Sequence, residues 1–118
     1  MKIAIPTNDR ISLFNRTGRA KEFAIYDIHH GKSDFIEFRE NPHKHHDHEE
    51  DEHDHDDHSH ADVVGALKDC DALLVKTAGQ HFRRDFDEAD IPLYQTKQTE
   101  LIEIINLFAK DMLRHKRI

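Results

Sequence analysis

The sequence predicts an α/β domain built on a mixed sheet, and three observations predict it. The first part carries apolar runs joined by tight polar connections, which read as hairpin-linked strands. The last part alternates short apolar runs with stretches of helical periodicity, the pattern of parallel strands joined through helices. Between them, residues 43–60 hold no apolar side chain at all. That segment divides the chain without adding to its core.

Taken in order, KIAIPT at residues 2–7 is an apolar run closed by Pro6 and the polar pair Asn8-Asp9, so it reads as a buried strand ending in a loop. Gly18 marks a turn, after which Phe23, Ile25 and Asp27 alternate with Ala24, Tyr26 and Ile28 in a second strand. His29 to Lys32 makes a hairpin connection, and Phe35, Glu37 and Arg39 alternate with Ile36, Phe38 and Glu40 in a third strand with one wetter face, ended by Asn41-Pro42. Past residue 60, Val63, Val64, Ala66, Leu67 and Cys70 fall near helical spacing. DALLVKT follows as a continuous apolar strand, residues 80–89 as a helix with Phe82 and Phe86 at i and i+4, and IPLYQTK as a fifth strand. The longest helix closes the chain, with Leu101, Ile105, Phe108 and Met112 along one stripe, Thr99 as its expected N-cap, and Arg114, His115, Lys116 and Arg117 as cations at its C-terminus. The expected order is β-β-β-α-β-α-β-α, a five-stranded mixed sheet flanked by helices in a single domain, 1–118.

The formal net charge is −7, and the eight carboxylates and one lysine of residues 43–60 account for all of it. A charge-balanced remainder without a basic stripe is a poor surface for phosphate neutralisation, so no nucleic-acid partner is expected. The single cysteine, Cys70, allows no intrachain disulfide and no thiolate metal cage. It falls on an apolar helix stripe, as a small core residue would. MKIAIPTNDR lacks the apolar region of a signal peptide and no run is long enough to span a bilayer, so a cytoplasmic protein with no membrane partner is expected.

Residues 43–60, HKHHDHEEDEHDHDDHSH, hold eight histidines in His-x-His pairs: His43 with His45, His46 with His48, His53 with His55, and His58 with His60. With nothing apolar to bury, this insertion cannot offset the backbone entropy of ordering, roughly 1–2 kcal/mol per residue, and is expected to be disordered when empty. Neutral imidazole is the commonest protein ligand for a borderline divalent ion such as Ni, Zn, Co or Cu, and the interleaved carboxylates raise local cation concentration. The tract therefore reads as a sponge for divalent transition metal with interchangeable ligand sets. A solvated spacer, or a pH-responsive loop whose imidazoles charge in acid, is the blander reading of the same composition.

Outside the tract, KIAIPTND, FNRTGRAKEFAIYDI, ENP before a His-rich loop, DVVGALKDCDALLV and TAGQHF together resemble, in order and spacing, the dinitrogenase iron–molybdenum cofactor-binding family, over nearly the whole chain. Asn15-Arg16-Thr17 stands where that family has a histidine, and lone Gly79 stands for its glycine-rich turn. The resemblance implies a ribonuclease H-like fold, dinitrogenase cofactor biosynthesis as the setting, and non-covalent binding of a metal–sulfur cluster of Fe/Mo or Mo/Cu type, without enzymatic activity. Donor and acceptor proteins for such a cluster are then the expected partners. In open α/β sheets ligands sit at the carboxyl ends of parallel strands, where helix N-termini offer free N–H groups. That rule selects Thr77, Gly79, Gln80 and His81 after the DALLVKT strand, with Arg16, Gly18 and Arg19 from the loop after the first strand. Gly79 as a plain turn residue and His81 as a surface helix residue are the alternatives.

Two other functions fit parts of the pattern. A metal-dependent nuclease needs carboxylates clustered at strand centres to hold paired ions, and the first strand offers Ile3, Ala4 and Ile5 instead. A Ni, Zn, Cu or Co storage protein would use the tract on an inert scaffold. The edge and wet face of the third strand could support a homodimer.

Overall fold

Lys2–Thr7 forms β1, whose residues from Ile3 onward are all buried, because it lies mid-sheet and packs on both faces. In the computed structural model, which describes residues 1–42, 61–110 and 116–118, β1 is flanked by β2 (Glu22–His29), antiparallel, and β4 (Ala72–Val75), parallel. β3 (Lys32–Glu40) adds outside β2, antiparallel, and β5 (Leu93–Gln95) adds beside β4, parallel. Three helices cover this five-stranded mixed sheet: α1 (Ala61–Ala66), α2 (Gln80–Glu88) and α3 (Leu101–Lys110).

The strand period of two sorts the core into two layers. Ile3, Ile5, Ala24, Tyr26 and Leu74 point to the face covered by Leu101, Ile104, Ile105 and Phe108 of α3. Ala4, Phe23, Ile25, Leu73 and Val75 point to the other, under Val63 of α1, Leu67, and Phe82 and Phe86 of α2. Cys70 is buried on this second face, and burial pushes its thiol up to about 11, further raised by the Asp69 charge beside it. A thiol so placed is a poor nucleophile at neutral pH.

Four expectations are corrected. The sheet gains a sixth strand, β6 (Lys116–Arg117), antiparallel on the β5 edge, for the order β3-β2-β1-β4-β5-β6. Lys116 and Arg117 are therefore not helix-end cations. Ile118 packs against the α1–α2 face, its N–H donating to the Leu93 carbonyl at 2.9 Å, and this fixes the chain end as a strand. α3 ends at Lys110, its basic last-turn residue, and Met112, Arg114 and His115 lie outside the described residues. Thr99 is not the cap: Glu100 directly precedes α3 and its carbonyl accepts the Ile104 N–H, while the Thr99 carbonyl accepts from Leu13.

The fourth correction concerns β3. Its register against β2 slips between Ile25 and Tyr26, so Glu37 opposes Ile25 while Phe35 opposes Tyr26, leaving Ile36 as the extra residue of a bulge. Strict alternation would set Phe35 and Phe38 on opposite faces. The bulge brings both to the α3 face, with ring centroids 4.8 Å apart and Phe35 edge-on to Tyr26 at 5.6 Å.

Candidate functional site

The ladder between β1 and β4 joins Ile3 to Ala72 and Ala4 to Leu73. At the carboxyl ends beyond it, two loops meet. The loop after β1 is shaped by Asp9, whose carboxylate accepts from the Ser12 and Ile11 N–H groups at 2.7 and 2.9 Å and from the Ser12 hydroxyl at 2.7 Å. These bonds hold the Asp9 carboxyl well below the usual carboxylate range, the Ser12 and Ile11 amides contributing most. The chain then runs to a 3-10 turn at Thr17–Arg19.

That turn is stitched to the loop after β4. Arg16 bridges Thr77, the Thr17 hydroxyl donates to the Thr77 carbonyl at 3.2 Å, and the Thr77 hydroxyl donates to the Asn15 carbonyl at 3.3 Å. Together they enclose a cleft of about 230 Å³ lined by Asn15, Arg16, Thr17, Gly18, Arg19, Thr77, Ala78, Gly79 and Phe82. Five of the seven residues expected at a core site, Arg16, Gly18, Arg19, Thr77 and Gly79, meet in this lining. Gln80 and His81 do not; they are exposed on the first turn of α2 and contribute only their main chain to the helix N-terminus. Asn15, Thr17, Ala78 and Phe82 complete the wall, and no local sequence signal marks them for it.

The electrostatics of the cleft favour an anion. Gly79 caps α2 without a side-chain hydrogen bond, and the first turn of α2 carries no acidic residue, so the helix N-terminus beside the cleft is not neutralised by its own side chains. Arg16 and Arg19 are exposed, and among the described residues neither pairs with a carboxylate. At Gly79 the backbone is ordinary, φ −68°, and a Cβ would meet nothing within 4 Å. A glycine is therefore required there neither by the turn nor by close packing. Among the described residues, the lining holds no Cys, His, Asp or Glu, and no three such side chains gather where they could hold a metal ion. Its described lining can grip an anionic group by guanidinium and main-chain amide donors and, among the described residues, offers no set of side chains for a bare metal ion.

The eight histidines from His43 to His60 lie outside the described residues. What is described is the entry to their segment. Asn41 is fully buried, and its side-chain amide donates to the Gly18 carbonyl at 3.2 Å and the Ala20 carbonyl at 2.8 Å. The tract thus begins two residues beyond an anchor fixed to the turn that lines the cleft.

Below the sheet, Arg39 donates to Asp69 at 2.7 Å and to the Ala66 carbonyl at 2.7 Å, and Lys2 donates to Asp69 at 3.0 Å. Hydrogen bonding from Arg39, then from Lys2, holds the Asp69 carboxyl well below its usual range. Asp9 and Asp69 both have folded-state pKa values below the unfolded value near 3.9. Their stabilisation is fully present above that value and is lost as pH falls below it. The thermal midpoint should fall below about pH 4, modestly because both carboxylates are solvent-screened, and circular-dichroism melts of Asp9→Ala should show a shallower fall than the native chain.

The chain matches the family described as dinitrogenase iron-molybdenum cofactor over residues 1–111. Among solved structures, a candidate dinitrogenase from Methanocaldococcus jannaschii superposes with a TM-score of 0.72 at 17% identity, covering 100% of this chain and 94% of that one. A candidate NifB protein from Thermotoga superposes with a TM-score of 0.66 at 23% identity, covering 98% and 90%. These likenesses show the fold. No functionally curated protein matches the chain in sequence.

Proposed function

We propose that this chain, which belongs to the dinitrogenase iron-molybdenum cofactor family, is a non-enzymatic carrier holding a preformed anionic metal–sulfur cluster of Fe/Mo or Mo/Cu type in the cleft between Arg16, Arg19 and the α2 N-terminus. The observation that carries this reading is the chemistry of the lining: two guanidiniums without a carboxylate partner and an uncapped helix N-terminus, with no metal-ligating side chain among the described residues. Such donors suit a group whose metals already have their sulfide ligands. A cleft of about 230 Å³ encloses one end of it and leaves the rest for a donor or acceptor protein.

Two further features belong to the same reading. The His-rich tract collects Ni, Zn, Co or Cu close to the cleft, and the Asn41 anchor supports this by fixing where the tract departs. At the effective concentrations of a short tether, of order mM, even weak imidazole sites could feed a neighbouring site. The carrier works in the cytoplasm, in keeping with one buried, unpaired cysteine, and the ribonuclease H-like label is assigned on the run of antiparallel strands followed by parallel ones. Absence of enzymatic activity is supported by the apolar centre of β1 and by Asp9, whose oxygens are occupied in holding a turn.

Elemental analysis with an absorption spectrum tests it, on untagged protein purified without a metal column, beside a variant with residues 43–60 replaced by a Gly-Ser linker. Sulfide-rich colour with molybdenum, iron or copper should appear in both. Colourless divalent ions in the native chain and none in the variant would show instead that the tract is the function and the core a scaffold.

A further inference from the structure

β3 is an edge strand of nine residues whose outer side meets no other strand among the described residues. Edges of this length are usually protected, and this one carries Lys32, Asp34, Glu37, Arg39 and Glu40. Yet Phe35 and Ile36 at its middle are 50% and 44% exposed. Beside them lies a mainly apolar hollow of about 440 Å³ walled by Ile11, Tyr26, Phe35, Phe38 and Ile102, with Glu100 and Arg10, which lies over the Phe38 ring, also in its lining.

The bulge resolves this combination. Across an antiparallel pair, directly opposed residues share a face of the sheet. Phe35 and Phe38 share the α3 face because of the bulge at Ile36, and the same slip sets Asp34 and Arg39 together on the opposite face. The strand is therefore self-complementary about its bulge. We propose that two copies of this chain pair through β3, edge to edge and antiparallel, with Asp34 of each opposite Arg39 of the other and Phe35 opposite Phe38. Two aromatic pairs then form around one two-fold axis and extend cover over the hollow. Each Arg39, whose terminal nitrogens already hold Asp69, Glu37 and the Ala66 carbonyl of its own chain, gains Asp34 of the other copy as a further carboxylate, beside the His29 contact that Asp34 already makes. Ser33 meets Glu40 in this register.

Neighbouring registers fail on charge or packing. Sliding by two residues one way sets Asp34 against Glu37 and Lys32 against Arg39, like against like. Sliding the other way sets Phe35 against Glu40 and Phe38 against Glu37, and both aromatic pairs are lost. A slide by one residue sets groups from opposite faces against each other. Of the charges that deter an arbitrary strand, Asp34 and Arg39 are matched by this same sequence running antiparallel, and Lys32, Glu37 and Glu40 meet the uncharged Asn41, Ile36 and Ser33, so no like charges stand opposite, which argues for a second copy over an unrelated partner.

Sedimentation velocity of the untagged full chain across a micromolar dilution series tests the pairing, with EDTA present so that metal cannot bridge histidines between copies. A reversible dimer is expected. Asp34→Lys, at a side chain 71% exposed, should keep the native melting profile and weaken dimerisation about tenfold or more, through repulsion at two sites. Ser33→Cys and Glu40→Cys prepared separately should cross-link on oxidation when mixed, and neither should cross-link alone, since like positions lie roughly 23 Å apart in this register. A monomer at every concentration, a dimer indifferent to Asp34→Lys, or cross-linking of either variant alone would each overturn the proposal.

Discussion

Replacing both cleft arginines, Arg16→Glu with Arg19→Glu, should reduce affinity for an anionic molybdenum–sulfur group by about 100-fold or more, because each charged hydrogen bond is worth roughly 1.5–3 kcal/mol and both would become repulsions. Both side chains are exposed and, among the described residues, free of carboxylate partners, so folding should be nearly unchanged, within about 0.5 kcal/mol. An absorption titration with tetrathiomolybdate, run beside thermal melts of the same samples, separates the two effects. Arg→Lys at both positions should recover part of the binding, since charge survives while the planar fork is lost. Unaltered affinity in the Glu variant would remove the cleft from consideration as the anion site.

The largest effect on stability should come from Phe86→Ala. Phe86 is 0% exposed and stacks on Phe82 with centroids 4.5 Å apart and planes at 20°. Truncating a buried phenylalanine removes apolar contact and leaves a cavity, at a cost of about 3–5 kcal/mol. That is a large share of the roughly 5–15 kcal/mol of a typical domain. Urea unfolding should show it as a lower midpoint with little change in slope, whereas Phe86→Leu should lose much less. Because Phe82 forms one wall of the cleft, Phe86→Ala should also loosen ligand binding, which places core and site on one packing unit. A loss below about 1 kcal/mol would mean that α2 does not depend on this stack.

The parts of the fold that were legible are those where one local period dominates. KIAIPT coincides with β1 because it is short, apolar and closed by polar residues, and Phe82 with Phe86 marks the buried stripe of α2 in an otherwise polar helix. The bulge at Ile36 left no mark, since neither glycine nor proline accompanies it and its cause lies in pairing with β2. β6 spans two residues, too few for any period to show, and depends on Ile118 reaching the core. In the candidate site, Arg16, Gly18, Arg19, Thr77 and Gly79 could be grouped because both loops follow parallel strands. Asn15, Thr17 and Ala78 could not, because their role arises from stitching two loops some 60 residues apart. Asn41 read as the end of a strand, and only its bonds to Gly18 and Ala20 show that it ties the tract to the cleft. Composition alone speaks for His43 to His60.

The central claim, that the core cleft receives an anionic metal–sulfur group, is tested most directly by amide chemical-shift mapping of the EDTA-washed, isotope-labelled full chain titrated with tetrathiomolybdate. The account predicts saturable shifts confined to Asn15 through Arg19 and Thr77 through Phe82. Shifts confined to residues 43–60, or none at any concentration, would contradict it.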